Sequence, residues 1–308
     1  MATIAYPPIP VWEIGPLRFS LHGVFAAVGF FAGFWLVVRL LERRGFDPAG
    51  FHSLAVWILI GGLLGARLLT APAALVDGAG WAALNPVVGN YSIMGGFVGG
   101  IVVGVWRIRR GGLPLMPYLD LAAFGLAMGT VVGRIGDLAI VEHLGRATTA
   151  AWGYEVRPGY DLAPQHNRLE CTVAEAGPDG ICGIYHHVAL YDMLGAGILL
   201  AVLWLIYRRV PLRYGQLFSV WVVWYGLQRS LLDSLRFGMG DASLGGFTWN
   251  QVSAVAGAVL GVALFWWFGR RQPSVSPERD ASMGATAVAT DQESHTVEDH
   301  LRHPPEVG

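Results

Sequence analysis

Seven apolar runs, each about long enough to cross a bilayer, constrain this chain more than any other feature. A span needs roughly 20 mostly apolar residues. Such runs lie at about 20–41, 53–75, 91–106, 117–141, 187–207, 215–235 and 247–268. The third is short and Gly-rich. Composition agrees: 54% of residues are hydrophobic and only 14% charged, against about a quarter charged in soluble domains. The formal net charge of -1 suggests no nucleic-acid partner. The expected fold is an all-α polytopic membrane protein with seven transmembrane helices. A small extracytoplasmic head, residues 142–186, would sit between the fourth and fifth helices. Residues 1–268 form the membrane domain in this reading, and 269–308 a disordered cytoplasmic tail rich in Ser, Asp, Glu and His. The first eighteen residues hold Pro7, Pro8, Pro10 and Pro16 and no basic leader, so no cleaved signal is expected.

Arginine placement gives an orientation. Arg43 and Arg44 follow the first run, Arg107, Arg109 and Arg110 the third, Arg208, Arg209 and Arg213 the fifth, and Arg270 and Arg271 the seventh. The connection 76–90 has no basic residue, and 142–186 has only Arg146, Arg157 and Arg168. Basic loops stay cytoplasmic, so the N-terminus is expected outside and the C-terminus inside. Cys171 and Cys182 then fall outside, where a disulfide and two unpaired thiols are both open. His166, His186, His187 and these cysteines show no known metal-ligand spacing, and neither metal nor cofactor is expected.

Ionisable groups inside spans are costly and are functional candidates by default. Here they are Arg67, Arg134, Asp137, Arg229 and Asp233, with Arg236, Asp192 and His22 near span ends. Arg134 lies only ~10 Å from the outer end of its span at 1.5 Å per residue. Span direction puts Arg67, Arg229 and Asp233 in the outer half, and His22, Tyr91, Ser92, Tyr191 and Asp192 near outer starts. Six helices thus present polar groups at one depth. A structural reading stands beside this one: Arg229 with Asp233 at i, i+4, and Arg134 with Asp137 at i+3, can simply neutralise each other. A cationic cluster suits an anionic headgroup, because Arg gives two parallel hydrogen bonds to phosphate. Tyr225, one turn before Arg229, is expected to face the same cavity. Gly125, Gly129 and Gly133, and Gly95, Gly96, Gly99, Gly100 and Gly104, make close-packing helix faces. Gly136, beside Arg134, offers a substrate room near the backbone.

The run GRIGDLAIVEHLGR from Gly133 to Arg146 resembles the signature GRIGNFxNxExxGR of the prolipoprotein diacylglyceryl transferase family. Asp120, Arg67 in a GxR-like motif of the second helix, and Tyr91 to Gly96 fit other family segments. His186 to Asp192 is similar to HPxQLYE, Tyr225 to Arg236 to YGxxRFxxExxR, and Phe247 to Gln251 to LTxxQ. The similarity runs collinearly over about 15–268. It implies transfer of diacylglyceryl from phosphatidylglycerol to the lipobox Cys of a prelipoprotein signal peptide, among the membrane lipids of a bacterial inner membrane. Glycerol phosphate leaves and a thioether forms. Arg134 and Arg229 would contact the phosphate, with Glu142, Gly145, Gly136, Tyr191, Asp192, Tyr225, Arg236 and Arg67 shaping the site. Asp137 and Asp233 are implied close to the chemistry. Departures fall at Met94 (a His in the family), Asp137 (Asn), Asp192 and Asp233 (Glu), His187 and Ala189 (Pro and Gln), and His22 (an aromatic). His22 is the candidate to replace the absent histidine as base. A divergent lipid-binding paralogue without turnover, or a membrane transporter, are the competing readings.

Overall fold

The computed structural model describes residues 3–14, 17–46, 48–76, 80, 93–162, 164–236, 243–244 and 247–275. Seven α-helices occur among these: α1 Leu21–Arg43, α2 Ala49–Val76, α3 Ile93–Gly111, α4 Leu115–Ala139, α5 Val188–Arg209, α6 Gln216–Leu235 and α7 Trp249–Arg271. Five of them, α1, α2, α4, α5 and α7, are long and apolar enough to cross a membrane. The other two are more polar. α3 ends in three arginines, and α6 carries Gln216, Ser219, Gln228, Arg229 and Asp233. Several helices outrun the apolar runs because they continue into the arginines that bound them: Arg43, Arg109, Arg110, Arg208, Arg209, Arg270 and Arg271. Cations near helix C-termini meet the negative end of the helix dipole, and their aliphatic stems remain over apolar surface.

The chain divides into two compact units. One comprises Val38–Tyr118 with the C-terminal residues. Its α2 and α3 meet backbone to backbone, since a Cβ at Gly99 would lie 2.2 Å from the Gly61 carbonyl oxygen. Trp57 packs edge-on against Trp106, and Arg107 Nε donates to Ser53 Oγ at 2.9 Å. Arg67 is a buried residue of α2. Tyr91 and Ser92, the connection 77–79 and 81–90, and the tail beyond 275 lie outside the described residues.

The other unit, Met1–Val37 with Leu119–Ser274, holds the first part of α1, nearly all of α4, and α5 to α7. The small-residue face of α4 works as expected. A Cβ at Gly33 or Gly29 of α1 would lie 2.3 Å from the carbonyl oxygen of Gly125 or 2.6 Å from that of Gly129. Asp120 is a buried charge whose role the sequence leaves unstated. Its two oxygens accept the backbone N–H groups of Gly215 and Phe218 at 2.7 and 2.9 Å, so α4 caps the start of α6. Thr248 and Gln251 form a reciprocal capping box at the start of α7, which is the physical content of the Phe247–Gln251 motif. The expected disordered tail from 269 needs correcting. α7 runs to Arg271, and Ser274 then bridges back to Arg213.

Between α4 and α5 the chain makes a three-stranded antiparallel sheet. Strands β1 Leu144–Ala147 and β2 Tyr154–Val156 flank the central β3 Gly183–His187. Its core is Val141, Leu144, Tyr154, Val156 and Leu162. Cys171 and Cys182 are joined by a disulfide, with Cα atoms 5.7 Å apart. The N-terminal segment, read from sequence only as a non-signal, is part of this small domain. Ile4 lies beside Tyr154 and hydrogen-bonds Gly153 and Glu155, and Ile9 N–H donates to the Ala139 carbonyl at 2.9 Å. The Tyr6 hydroxyl donates to the Leu138 carbonyl at 2.6 Å and meets His187 Nε2 at 2.9 Å.

Burial gives this domain an acid sensitivity. It pushes His166 and His187 down to about 4. Both side chains are neutral in the fold, yet take up a proton in the unfolded chain below about pH 6.5. Between about 6.5 and 4 the unfolded state therefore binds more protons, and stability falls as pH falls across that window. The thermal midpoint of the purified protein should drop from pH 7 to pH 4.5, and drop less in His187→Gln. Equal slopes for the two proteins would refute the assignment.

Candidate functional site

The site begins on α4, where Arg134 and Asp137 share a face at i, i+3. Gly136 between them brings α1 close. A Cβ there would sit 2.5 Å from the Leu21 carbonyl oxygen and 2.8 Å from His22 Cα. The room expected for substrate beside Gly136 is therefore taken by α1 backbone, and the consequence is that His22 reaches Asp137. His22 Nδ1 hydrogen-bonds Asp137 Oδ1 and lies 3.3 Å from Glu142 Oε2. Ionised carboxylates only accept, so Nδ1 carries the hydrogen, and in the neutral imidazole Nε2 keeps a lone pair.

The chain reverses sharply after Ala139 to bring Glu142 there. The Glu142 N–H donates to the Asp137 carbonyl at 2.8 Å, and Val141 and His143 on either side have φ of 53° and 64°. A left-handed β-branched residue is an outlier, costing on the order of 1–3 kcal/mol. Val141 is held there by complete burial in the core of the sheet domain. His143 Nε2 lies 3.9 Å from Asp137 Oδ2, and Arg236 NH2 reaches His143 Nδ1 at 3.5 Å. Burial pushes His143 down to about 4, so the imidazole is neutral at pH 7.

Arg134 is held from two sides. NH1 pairs with Asp137 Oδ2, and NH2 with Asp192 Oδ2 of α5 at 2.5 Å. Asp192 Oδ1 in turn accepts from Gln228 Nε2 of α6 at 2.6 Å, and Trp224 Nε1 donates to Gln228 Oε1 at 2.7 Å. One polar chain thus runs through α1, α4, α5 and α6. Asp137 is almost fully buried, while the His22 side chain is half exposed. The carboxylate is enclosed, and the imidazole keeps exposed surface.

The pairing of Arg229 with Asp233 suggested by their spacing does not form. The Asp233 carboxylate accepts from Thr248 Oγ1 at 2.5 Å, and among the described residues no ion pair engages Arg229. Tyr225 is exposed and stacks on Trp221, with ring centroids 5.2 Å apart. The Tyr191 hydroxyl turns to His186 Nδ1 at 3.2 Å. Gly145 pairs with Arg236 across an antiparallel bridge, where a Cβ would lie 2.4 Å from the Leu235 carbonyl oxygen. Arg146 Nε donates to the Arg236 carbonyl at 3.2 Å. Arg67 belongs to the other unit.

The structure therefore gathers His22, Arg134, Asp137, Glu142 and Asp192 into one cluster, with Arg236 tied to it through His143. His143, Gln228 and Trp224 are additions. A count of every polar side chain inside the apolar runs, rather than of ionisable ones, would have flagged Gln228. His22, Asp137 and Glu142 also offer donor atoms within 4.8 Å of one another, a spacing a cation could use. With Arg134 on the second oxygen of Asp137 and His22 on the first, the Asp137 carboxylate is already taken up in a hydrogen-bond network.

Comparison with known proteins bears directly on this arrangement. Residues 10–267 match the sequence profile of the prolipoprotein diacylglyceryl transferases. Among curated relatives, a phosphatidylglycerol–prolipoprotein diacylglyceryl transferase of Thermus thermophilus is 33% identical over 235 residues, covering 72% of this chain and 81% of the relative. The protein of that name from Gloeobacter violaceus is 28% identical, covering 84% of this chain and 92% of its own. The one from Corynebacterium glutamicum strain ATCC 13032 is 29% identical, covering 94% and 93%.

Proposed function

Since the chain belongs to the prolipoprotein diacylglyceryl transferase family, we propose that it moves the diacylglyceryl group of phosphatidylglycerol onto the lipobox cysteine thiol of prelipoprotein signal peptides. The thiolate sulfur attacks the glyceryl carbon, the C–S bond forms, and the C–O bond to phosphate breaks. Glycerol phosphate departs carrying the electron pair. The thiol proton goes to His22 Nε2, whose Nδ1–H is fixed by Asp137. A nucleophile, a base and a group that orients the base make a recurrent unit of such chemistry. Negative charge grows on the leaving phosphate, where Arg229 and the outward N–H groups of Arg134 stabilise it. Arg236 and Gly145 border the same space.

The observation that supports this reading is the pinning of Arg134 between Asp137 and Asp192, with His22 on the other oxygen of Asp137. A guanidinium fixed before the reaction needs no reorganisation as charge develops. The arrangement uses Asp137 and His22, two of the positions where the sequence departs from the family pattern. The two departures meet each other in one hydrogen bond.

Residues 1–268 act as the transferase domain in the inner membrane, with all seven helices spanning. The arginines ending α1, α3, α5 and α7 face the cytoplasm, and the sheet domain forms an extracytoplasmic head. Two measurements test this. Expression should rescue a strain depleted of its own diacylglyceryl transferase, and failure to make thioether-linked lipoprotein there would refute the activity. A cysteine introduced in 276–308 should resist a membrane-impermeant thiol reagent in intact cells. Labelling of that site would reverse the orientation.

A further inference from the structure

Gln228 is uncharged and takes no part in the chemistry proposed above, yet its amide is engaged at both ends. One N–H goes to Asp192 Oδ1 at 2.6 Å and Nε2 also reaches the Asp192 carbonyl oxygen at 3.0 Å. Its Oε1 accepts the indole N–H of Trp224 at 2.7 Å. Only one amide orientation satisfies these partners. Flipped, an oxygen would face the Asp192 oxygens and an N–H would face the indole N–H. Room for this side chain between α5 and α6 comes from Gly195, where a Cβ would fall 2.5 Å from Gln228 Cδ and Oε1. The Asp192 carboxylate is thereby held by Gln228 on Oδ1 and by Arg134 on Oδ2.

We propose that Gln228, oriented by Trp224 and admitted by Gly195, is a positioning residue that locks the Asp192 carboxylate and through it the Arg134 guanidinium. The proposal rests on the transferase reading above. Free to rotate, Asp192 would share Arg134 among several geometries, and the guanidinium would meet the developing phosphate charge less often in the right place. Misplacement of this kind lowers turnover more than substrate binding.

The test measures kcat and KM for phosphatidylglycerol, with a lipobox peptide as acceptor. The variants are Gln228→Met, close in volume and without the amide, Trp224→Phe, Asp192→Asn, and Gln228→Met with Asp192→Asn. Gln228→Met should lower kcat about tenfold and leave KM within about twofold, as loss of a hydrogen bond to a charged group implies. Trp224→Phe should cost about threefold, since it loosens the amide without removing it. The double variant should be no worse than Asp192→Asn alone, because both substitutions break one path. Wild-type kcat in Gln228→Met, or losses that multiply in the double variant, would overturn the positioning role. If Gln228→Met does not fold, unchanged kcat in Trp224→Phe would overturn it instead. A wild-type protein without turnover would defeat the transferase reading, and this proposal with it.

Discussion

Arg134→Ala should lower thioether formation on a lipobox peptide by at least about 10²-fold, the scale of losing one preorganised donor to a developing oxyanion. Two effects act in the same direction. The cation that meets the departing phosphate is gone, and the carboxylates that flanked it, Asp137 and Asp192, lose their common partner. Breaking a buried pair by removing one side typically costs about 3–5 kcal/mol of stability, so folding has to be separated from chemistry. Combining Arg134→Ala with Asp192→Asn relieves the charge stranded on Asp192, while Asp137 keeps its hydrogen bond with His22. That variant should insert and unfold near the wild-type temperature and remain inactive. Arg134→Lys should rescue little, because a single ammonium cannot reproduce two hydrogen bonds in a planar fork. Arg229→Ala should also lose activity without loss of stability, because among the described residues no ion pair depends on Arg229. Near-normal turnover in the double Arg134→Ala, Arg229→Ala protein would remove both residues from the site.

The helices were legible because burial in lipid imposes a long, simple pattern. Apolar runs bounded by arginines located all seven, with ends shifted by only a few residues where helices continued into the arginines. Periodicity also found the α4 glycine face. Pairings were less legible. Spacing on one helix correctly joined Arg134 to Asp137, but joined Arg229 to Asp233 as well, where Thr248 at the start of α7 takes the carboxylate. Intrahelical spacing says that two groups are within reach, and says nothing of a third group arriving from another helix. The contact between His22 and Asp137 spans 115 residues and depends on the absence of a side chain at Gly136. No local rule contains it. The left-handed turn at Val141 was equally hidden, because a valine predicts extended backbone and only burial in the sheet domain holds it otherwise.

His22→Ala should reduce turnover by about 10²-fold or more, within the ~10²–10⁴-fold range for loss of a general base. The sequence motivates this by Met94, which stands where the family resemblance leads to a histidine. The structure adds that the His22 imidazole is half exposed and that Asp137 and Glu142 both face its Nδ1. The other histidine beside Asp137 is a poor substitute. His143 Nδ1 is met by an Arg236 N–H, and burial holds its basicity near 4, too weak to take a proton from a thiol at neutral pH. Unaided ionisation in the field of the arginines is the real competitor, since neighbouring cations can lower a thiol well below its ordinary ~8.5. The two routes separate with pH. A protein that relies on His22 should lose activity in His22→Ala most heavily near neutrality and regain much of it at pH 9, where the thiol ionises alone. A protein that relies on the arginines should show the same pH profile with and without His22. Met94→His in the His22→Ala background should restore part of the neutral-pH rate if a histidine in that turn can serve the same thiol. Wild-type turnover in His22→Ala at pH 7 would end the case for His22 as base. An inactive wild type that gains turnover only in Met94→His would show that the contact between His22 and Asp137 is structural and not chemical.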